Sequence, residues 1–201
     1  MGKRLEEMSL AELWQLFPVF LVEHRNEWTM WYAQEKRSVL SHIPAKYLSR
    51  ISHIGSTAIP EIWAKNIVDI LLEVNSEAGL DKAKDALLAE GWLCMNQSPA
   101  RITLNKGYTE QGFADRVFHL HVRIAGDNDE LYFRDYLQEH KAAAKEYEAL
   151  KLSLWKKFEH DRDGYTEAKT DFIQRITALA REKYRGRYAA KPQQKEANNG
   201  V

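Results

Sequence analysis

Three stretches combine residue types and spacings that suit chemistry on a charged substrate. His53-Ile54-Gly55-Ser56-Thr57 offers a glycine turn, two hydroxyls and free backbone N–H groups, which together can cradle a phosphate. Asp69 follows inside Ile67-Val68-Asp69-Ile70-Leu71-Leu72-Glu73-Val74, a short and almost wholly apolar run. A carboxylate buried unpaired in such a run costs several kcal/mol, so it calls for a metal, a cation or an open cleft. His119 and His121 alternate with Phe118, Leu120 and Val122. On a strand both imidazoles then share one face with Val117 and Arg123. Residues two apart on a strand lie roughly 6.5 Å from each other, within reach of one metal ion. With Asp69 on a nearby strand, the pair makes an acid-plus-imidazole site.

The same spacing limits that chemistry. Asp69, Leu71 and Glu73 share a face, and a two-metal site needs its second carboxylate where Leu71 stands. Glu73 lies roughly 13 Å along and serves another purpose. Each candidate also has an ordinary alternative. Asp69 can cap neighbouring backbone N–H groups, and the histidine pair can be a partly exposed sheet face. Lys65 is a phosphate cation or a solvated loop lysine. Lys169, beside an apolar helix stripe, faces the cleft or snorkels to solvent. Arg134 is a phosphate contact or the partner of Asp135 in an ion pair. Cys94, in an apolar strand, reads as inert core, and no nucleophilic serine or cysteine constellation stands out.

The elements that must position these residues are legible in outline. Ser9-Leu10-Ala11-Glu12 has capping-box spacing for a first helix, which Pro18 ends. Val19 to Val22 is a brief extended piece, and Asn26 caps a second helix reaching about His42. Ile67 to Val74 is the first strong strand, of the kind covered on both faces. Gly79 to Glu90 is a helix with Gly91 at its C-terminal cap. Trp92 to Met95 and Arg101 to Asn105 are extended, Gly107 and Gly112 bracket a loop, and Arg116 to Ile124 completes an antiparallel hairpin. Leu131 to Glu139, Ala142 to Phe158 and Tyr165 to Tyr184 read as helices, with 161–164 separating the last two. Two apolar stripes, Tyr147-Leu150-Leu154-Phe158 and Tyr165-Ala168-Phe172-Ile176-Leu179, read as core. The expected fold is α+β: a small mixed β-sheet flanked by helices, with a helical C-terminal third. The cleft is expected where the strand edge meets the helices.

Composition bounds the function. The 201 residues carry 29 basic and 29 acidic side chains, so a net charge near zero argues against sequence-independent nucleic-acid binding. A single cysteine excludes an intramolecular disulfide framework and suits a reducing compartment. With no secretory apolar region and no run long enough to span a bilayer, the expectation is a cytoplasmic protein with no membrane partner. The expected organisation is one domain over 1–187, in which 1–18 is an N-terminal helical extension. A disordered tail is expected over 188–201.

Four motifs in order carry a resemblance. They are His53-Ile54-Gly55-Ser56-Thr57-Ala58-Ile59-Pro60 with Ala64-Lys65 and Ile67-Val68-Asp69-Ile70-Leu71, then His119-Leu120-His121-Val122. Phe133-Arg134-Asp135-Tyr136-Leu137 with Ala144 to Lys151, and Tyr165 to Ile173, complete the set. Over roughly residues 19 to 180 the chain resembles the GrpB family, which is itself similar to the nucleotidyltransferase superfamily. That superfamily pairs a Gly-Ser turn with Asp-x-Asp or Asp-x-Glu on a strand and a third acid on a later strand. Gly55-Ser56 and Asp69, with twelve residues between Ser56 and Asp69, fit the pattern. Leu71 departs from it, and His119 or His121 stands near the third acid's place. The resemblance implies metal-dependent transfer of a nucleotidyl group from a nucleoside triphosphate to an acceptor. Gly55, Ser56, Thr57, Lys65, Arg134 and Lys169 would hold phosphate, and Asp69, His119 and His121 would be the catalytic and metal-holding residues. The metal would be magnesium or manganese, or zinc given the imidazoles. Alternatives are a non-catalytic module that binds a nucleotide or another phosphorylated small molecule, and a metal-dependent phosphoesterase.

Overall fold

Residues 3–189 are described in the computed structural model. The Ser9 hydroxyl accepts from the Glu12 N–H while the Glu12 carboxylate accepts from the Ser9 N–H, which starts α1 (Leu10–Leu16). A two-residue strand, β1 (Leu21–Val22), precedes α2 (Glu27–His42). Then come β2 (Leu48–Ile54), a 3-10 turn (Ser56–Ala58), β3 (Ala64–Lys65), β4 (Val68–Val74) and α3 (Glu77–Ala89). The hairpin strands are β5 (Leu93–Gln97), β6 (Arg101–Thr109) and β7 (Gly112–Ile124). Four helices follow: α4 (Asp129–Glu139), α5 (Lys141–Trp155), α6 (Arg162–Glu167) and α7 (Thr170–Lys183). This is the expected α+β architecture.

The five-stranded sheet runs β2-β4-β7-β6-β5. Only β4 and β7 are parallel neighbours, and they lie in adjacent, interior positions. One face buries Val68, Ile70, Leu72 and Val74 of β4 with Phe118, Leu120 and Val122 of β7. They pack against Trp28 and Val39 of α2 and Leu80, Ala83 and Leu87 of α3. Each fully buried side chain of this size contributes about 1.5–3 kcal/mol. The opposite face carries Asp69, Leu71 and Glu73, beside His119, His121 and Arg123 in register. It turns toward the C-terminal helices, where Leu71 packs with Ile54 and Leu131. A second core joins the loop after the Gly-Ser turn to those helices. In it Ile59 and Ile62 meet Phe133, Leu137, Tyr147, Phe172 and Ile176.

Several elements depart from expectation. β2 goes unannounced because Leu48-Ser-Arg-Ile-Ser-His-Ile mixes polar and apolar residues, yet it pairs antiparallel with β4 from Leu48 to Ile54. The hairpin loop is only Glu110-Gln111, and Gly107 sits within β6 at a register irregularity. Its φ is +91°, and a Cβ there would stand 2.3 Å from the Arg116 carbonyl, so only glycine fits. The expected helix over 165–184 breaks at Ala168–Lys169 into α6 and α7. Residues 161–164 open α6 rather than separate helices, since the Asp161 carboxylate accepts from the Gly164 N–H at 2.8 Å. Cys94 is exposed on the edge strand instead of buried. Leu179 is exposed too, and Ala180 takes the buried position on α7.

Glu73 has the separate purpose its spacing implies. It is 1% exposed, accepts from the Gly126 N–H at 3.0 Å and the Asn128 amide at 2.8 Å, and pairs with Arg50 at 3.2 Å. It ties the β4 end to the turn entering α4. The expected tail lies outside the described residues from 190 onward. Tyr188, assigned to that tail, instead docks: its hydroxyl donates to Asp135 and its ring packs at right angles on Tyr132.

Candidate functional site

Parallel pairing of β4 with β7 sets Asp69 beside His119 and Leu71 beside His121. The site therefore lies on the sheet's middle strands rather than at an edge. His119 Nδ1 is 3.2 Å from Asp69 Oδ1, and His121 Nε2 is 3.8 Å from the same oxygen. One ligand atom from each of the three residues lies within 4.8 Å of the others, a separation a single metal ion can bridge.

The outer nitrogens of both imidazoles are already engaged. Arg162 donates to the Tyr108 hydroxyl at 2.9 Å, and that hydroxyl sits 2.8 Å from His119 Nε2. Arg123 Nη2 lies 3.3 Å from His121 Nδ1. Because guanidinium only donates, one consistent assignment follows. Tyr108 donates to His119 Nε2, and His119 turns its Nδ1–H to Asp69 at 3.2 Å. His121 turns its Nε2–H toward the same carboxylate oxygen at 3.8 Å, too far for a hydrogen bond. Burial, opposed by Asp69, lowers the His119 pKa and keeps this imidazole neutral. Burial alone would raise the Asp69 carboxyl; the His119 and His121 imidazoles turned toward it overcome that and hold the group well below the usual carboxylate range.

The Gly-Ser turn closes over this carboxylate. Gly55 has φ +70°, and a Cβ on it would fall 2.3 Å from Asp69 Oδ2. Glycine is thus required both for the turn and for its approach to the acid. Thr57 Oγ1 is 3.0 Å from His53 Nε2, and the Tyr32 ring stacks on His53 at 4.8 Å. Burial lowers the His53 pKa to about 4, so it braces the turn as a neutral ring.

Ser56, Thr57, Lys65, Ile67, Asp69, Lys151, Tyr165 and Lys169 line a cavity of about 30 Å³. Of the residues picked from sequence, the fold brings Gly55, Ser56, Thr57, Lys65, Asp69, His119, His121 and Lys169 together. β1 pairs with β3 and fixes the backbone at Lys65 opposite Leu21. Arg134 is not among the lining residues. It donates to the His53 carbonyl at 2.8 Å and pairs with Asp135 at 2.7 Å, bracing β2 from behind.

Lys151, Tyr108 and Arg162 escaped sequence reasoning as site residues, and Tyr147 and Tyr165 were read as core. A signal existed in Tyr147-x-x-x-Lys151 and Tyr165-x-x-x-Lys169, one spacing used twice in the C-terminal third. Each lysine amine stands over its tyrosine ring, at 4.8 Å and 4.0 Å. Lys151 also donates to the Trp63 carbonyl.

The lysines are poorly solvated. Lys151 is 2% and Lys169 9% exposed. Burial lowers Lys151 and Lys169 to about 7 and Lys65 to about 8; neighbouring cations add to this, while Glu148 opposes it at Lys151 and Asp69 at Lys169 and Lys65. Lys151 faces Glu148 and Lys65, and Lys169 faces Lys65, Lys151 and Asp69. An unfolded lysine titrates near ~10.4. Between about pH 7 and pH 10 the unfolded chain therefore holds protons that the folded chain has shed, so stability rises with pH. Below that window both states are protonated and the full desolvation penalty applies. Above about pH 10 the buried phenols of Tyr147 and Tyr165, both raised, reverse the trend. Urea midpoints are expected to be higher at pH 9 than at pH 7, with a shallower rise in Lys169→Met. A flat or falling wild-type profile would contradict this.

Comparison with known proteins identifies the family and agrees with the fold. The family model described as GrpB protein matches residues 18–179. The glutamate-rich protein GrpB of Alkalihalophilus pseudofirmus is 35% identical over 164 residues, covering 79% of this chain and 93% of that protein. A crystal structure of conserved protein GrpB from Enterococcus faecalis superposes with a TM-score of 0.71 at 26% identity, covering 82% of this chain and 99% of that one. A dephospho-CoA kinase of Mycolicibacterium paratuberculosis is 30% identical over 180 residues, which span 76% of this chain but 43% of that protein. No helix among the described residues is long and apolar enough to cross a membrane.

Proposed function

The chain belongs to the GrpB family, and from that premise we propose that it transfers a nucleotidyl group from a nucleoside triphosphate to an acceptor hydroxyl or protein side chain. The carrying observation is a juxtaposition: a carboxylate and two imidazoles converge beside a cavity walled by the Gly-Ser turn and lysine amines. Ser56, Thr57 and the Gly55 backbone would bind phosphate oxygens, and Lys65 and Lys169 would neutralise their charge. Asp69, His119 and His121 would hold one divalent ion. One carboxylate and two imidazoles suit manganese or zinc better than magnesium, which prefers oxygen donors. Such an ion would polarise a phosphoryl oxygen as a Lewis acid. With an ion on His119 Nδ1, the ring's Nε2–H would donate to the Tyr108 hydroxyl that Arg162 holds. Arg123, which only donates to His121 Nδ1, would instead have to move aside for His121 Nε2 to ligate. The match to 43% of a protein named dephospho-CoA kinase supports a nucleotide-related role and no finer activity.

A second reading, a module that binds a nucleotide or another phosphorylated ligand without turnover, draws on Leu71. That side chain is 1% exposed and packed against Ile54 and Leu131, so the second carboxylate's position is committed to core. Calorimetry with ATP, GTP, CTP and UTP plus Mn²⁺, followed by product analysis, separates the two. Binding with release of pyrophosphate is the expected result. Binding without product would leave the module, and no binding by any of the four would remove the transferase and the nucleotide-binding form of the module.

A further inference from the structure

Around the cavity, cations outnumber anions in a way the folded chain alone leaves unresolved. Lys65, Lys151 and Lys169 line it together with Asp69 as the only carboxylate among the lining residues. None of the three amines has an ion-pair partner within 4 Å among the described residues. Asp69 is itself committed to His119 and His121. The Tyr165 side chain, 1% exposed, also lines the cavity, and its hydroxyl is buried with no hydrogen-bond partner. Buried amines without an ion-pair partner and a buried hydroxyl without a hydrogen-bond partner are costly, and a bound anion would satisfy both at once. A second cavity of about 50 Å³ adjoins the first. Lys65 and Ile67 line both, and the second adds Arg162. One phosphoryl group suits the inner cavity, and a linked one would reach Arg162.

We infer that Lys65, Lys151, Lys169 and Tyr165, continued outward by Arg162, form a binding site for a polyphosphate group that requires no divalent metal. The inference deepens the nucleotidyl-transfer reading of this cavity. With Leu71 in place of a second carboxylate, fixed amines supply the countercharge that a second metal ion would otherwise bring. The ligand class is a diphosphate or longer chain, because two adjoining cavities share one lysine.

Calorimetric titration of the full chain with inorganic pyrophosphate in excess EDTA tests this. Wild-type protein is expected to bind. Lys169→Met is expected to bind about tenfold or more weakly and Tyr165→Phe a few-fold more weakly, as for a lost charged and a lost neutral hydrogen bond. Thermal melts of both variants report whether they are folded, which matters less for them than for Lys151, whose amine also supports Trp63. Pyrophosphate that binds only after Mn²⁺ is added would overturn the inference. So would folded variants that bind as tightly as wild type. Metal-free binding in a protein that forms no product from any nucleoside triphosphate would keep this site and remove the transferase. Product formation without metal-free pyrophosphate binding would do the reverse.

Discussion

Asp69→Asn is expected to abolish metal-dependent nucleotide consumption while leaving the protein folded. The amide keeps the size of the carboxylate and an oxygen that can still face His119 and His121, so the β4–β7 pairing has no reason to fail. What disappears is the negative charge, the only one offered by the three candidate ligands. Residues that merely orient metal ligands already contribute about 10–100-fold to affinity or activity, and a charged ligand contributes more. A loss of at least about 100-fold in pyrophosphate release with Mn²⁺ is therefore the expected magnitude. A thermal melt alongside separates this from unfolding. Wild-type turnover in folded Asp69→Asn would remove Asp69 from the chemistry.

The other carboxylate on the same strand face should behave in the opposite way. Glu73→Ala is expected to destabilise the protein by about 3–5 kcal/mol, the range for breaking a buried pair and stranding its partner. Arg50, the Gly126 N–H and the Asn128 amide would all lose their acceptor at a position only 1% exposed. Denaturant midpoints check the stability. Turnover per folded molecule, measured well below the melting temperature, should stay close to wild type because Glu73 is not among the cavity residues. A small shift in midpoint with a large fall in turnover would move Glu73 into the site. Asp69 and Glu73 thus share a face but divide labour along β4.

Local signals predicted the parts of the fold that local physics controls. The Ser9 box, the apolar β4 run and the alternating β7 pattern each declare themselves within a few residues, and each appears where expected. β2 was hidden because its residues are mostly half-buried and polar, so tertiary pairing with β4 rather than periodicity makes it a strand. Its omission also misplaced the cleft. Once β2 flanks β4, the Asp69 position becomes interior to the sheet. Asp69, His119 and His121 were identifiable because period two forces their facing, but their convergence depended on β4 and β7 being parallel neighbours in one register. Lys151 and Tyr165 were masked by amphipathic helices, in which a cavity-facing lysine or tyrosine continues the apolar stripe. Arg134 shows the converse: a charged residue in a family motif that serves to hold a backbone carbonyl in place.

The most direct measurement is anomalous diffraction from crystals soaked with Mn²⁺ and a non-hydrolysable nucleoside triphosphate analogue. A single manganese peak is expected within bonding distance of Asp69, His119 and His121. Phosphate density is expected against Ser56, Thr57 and the amines of Lys65, Lys151 and Lys169. Manganese bound elsewhere with His119 and His121 still turned to Asp69, or the analogue's phosphates lying outside this cavity, would contradict it.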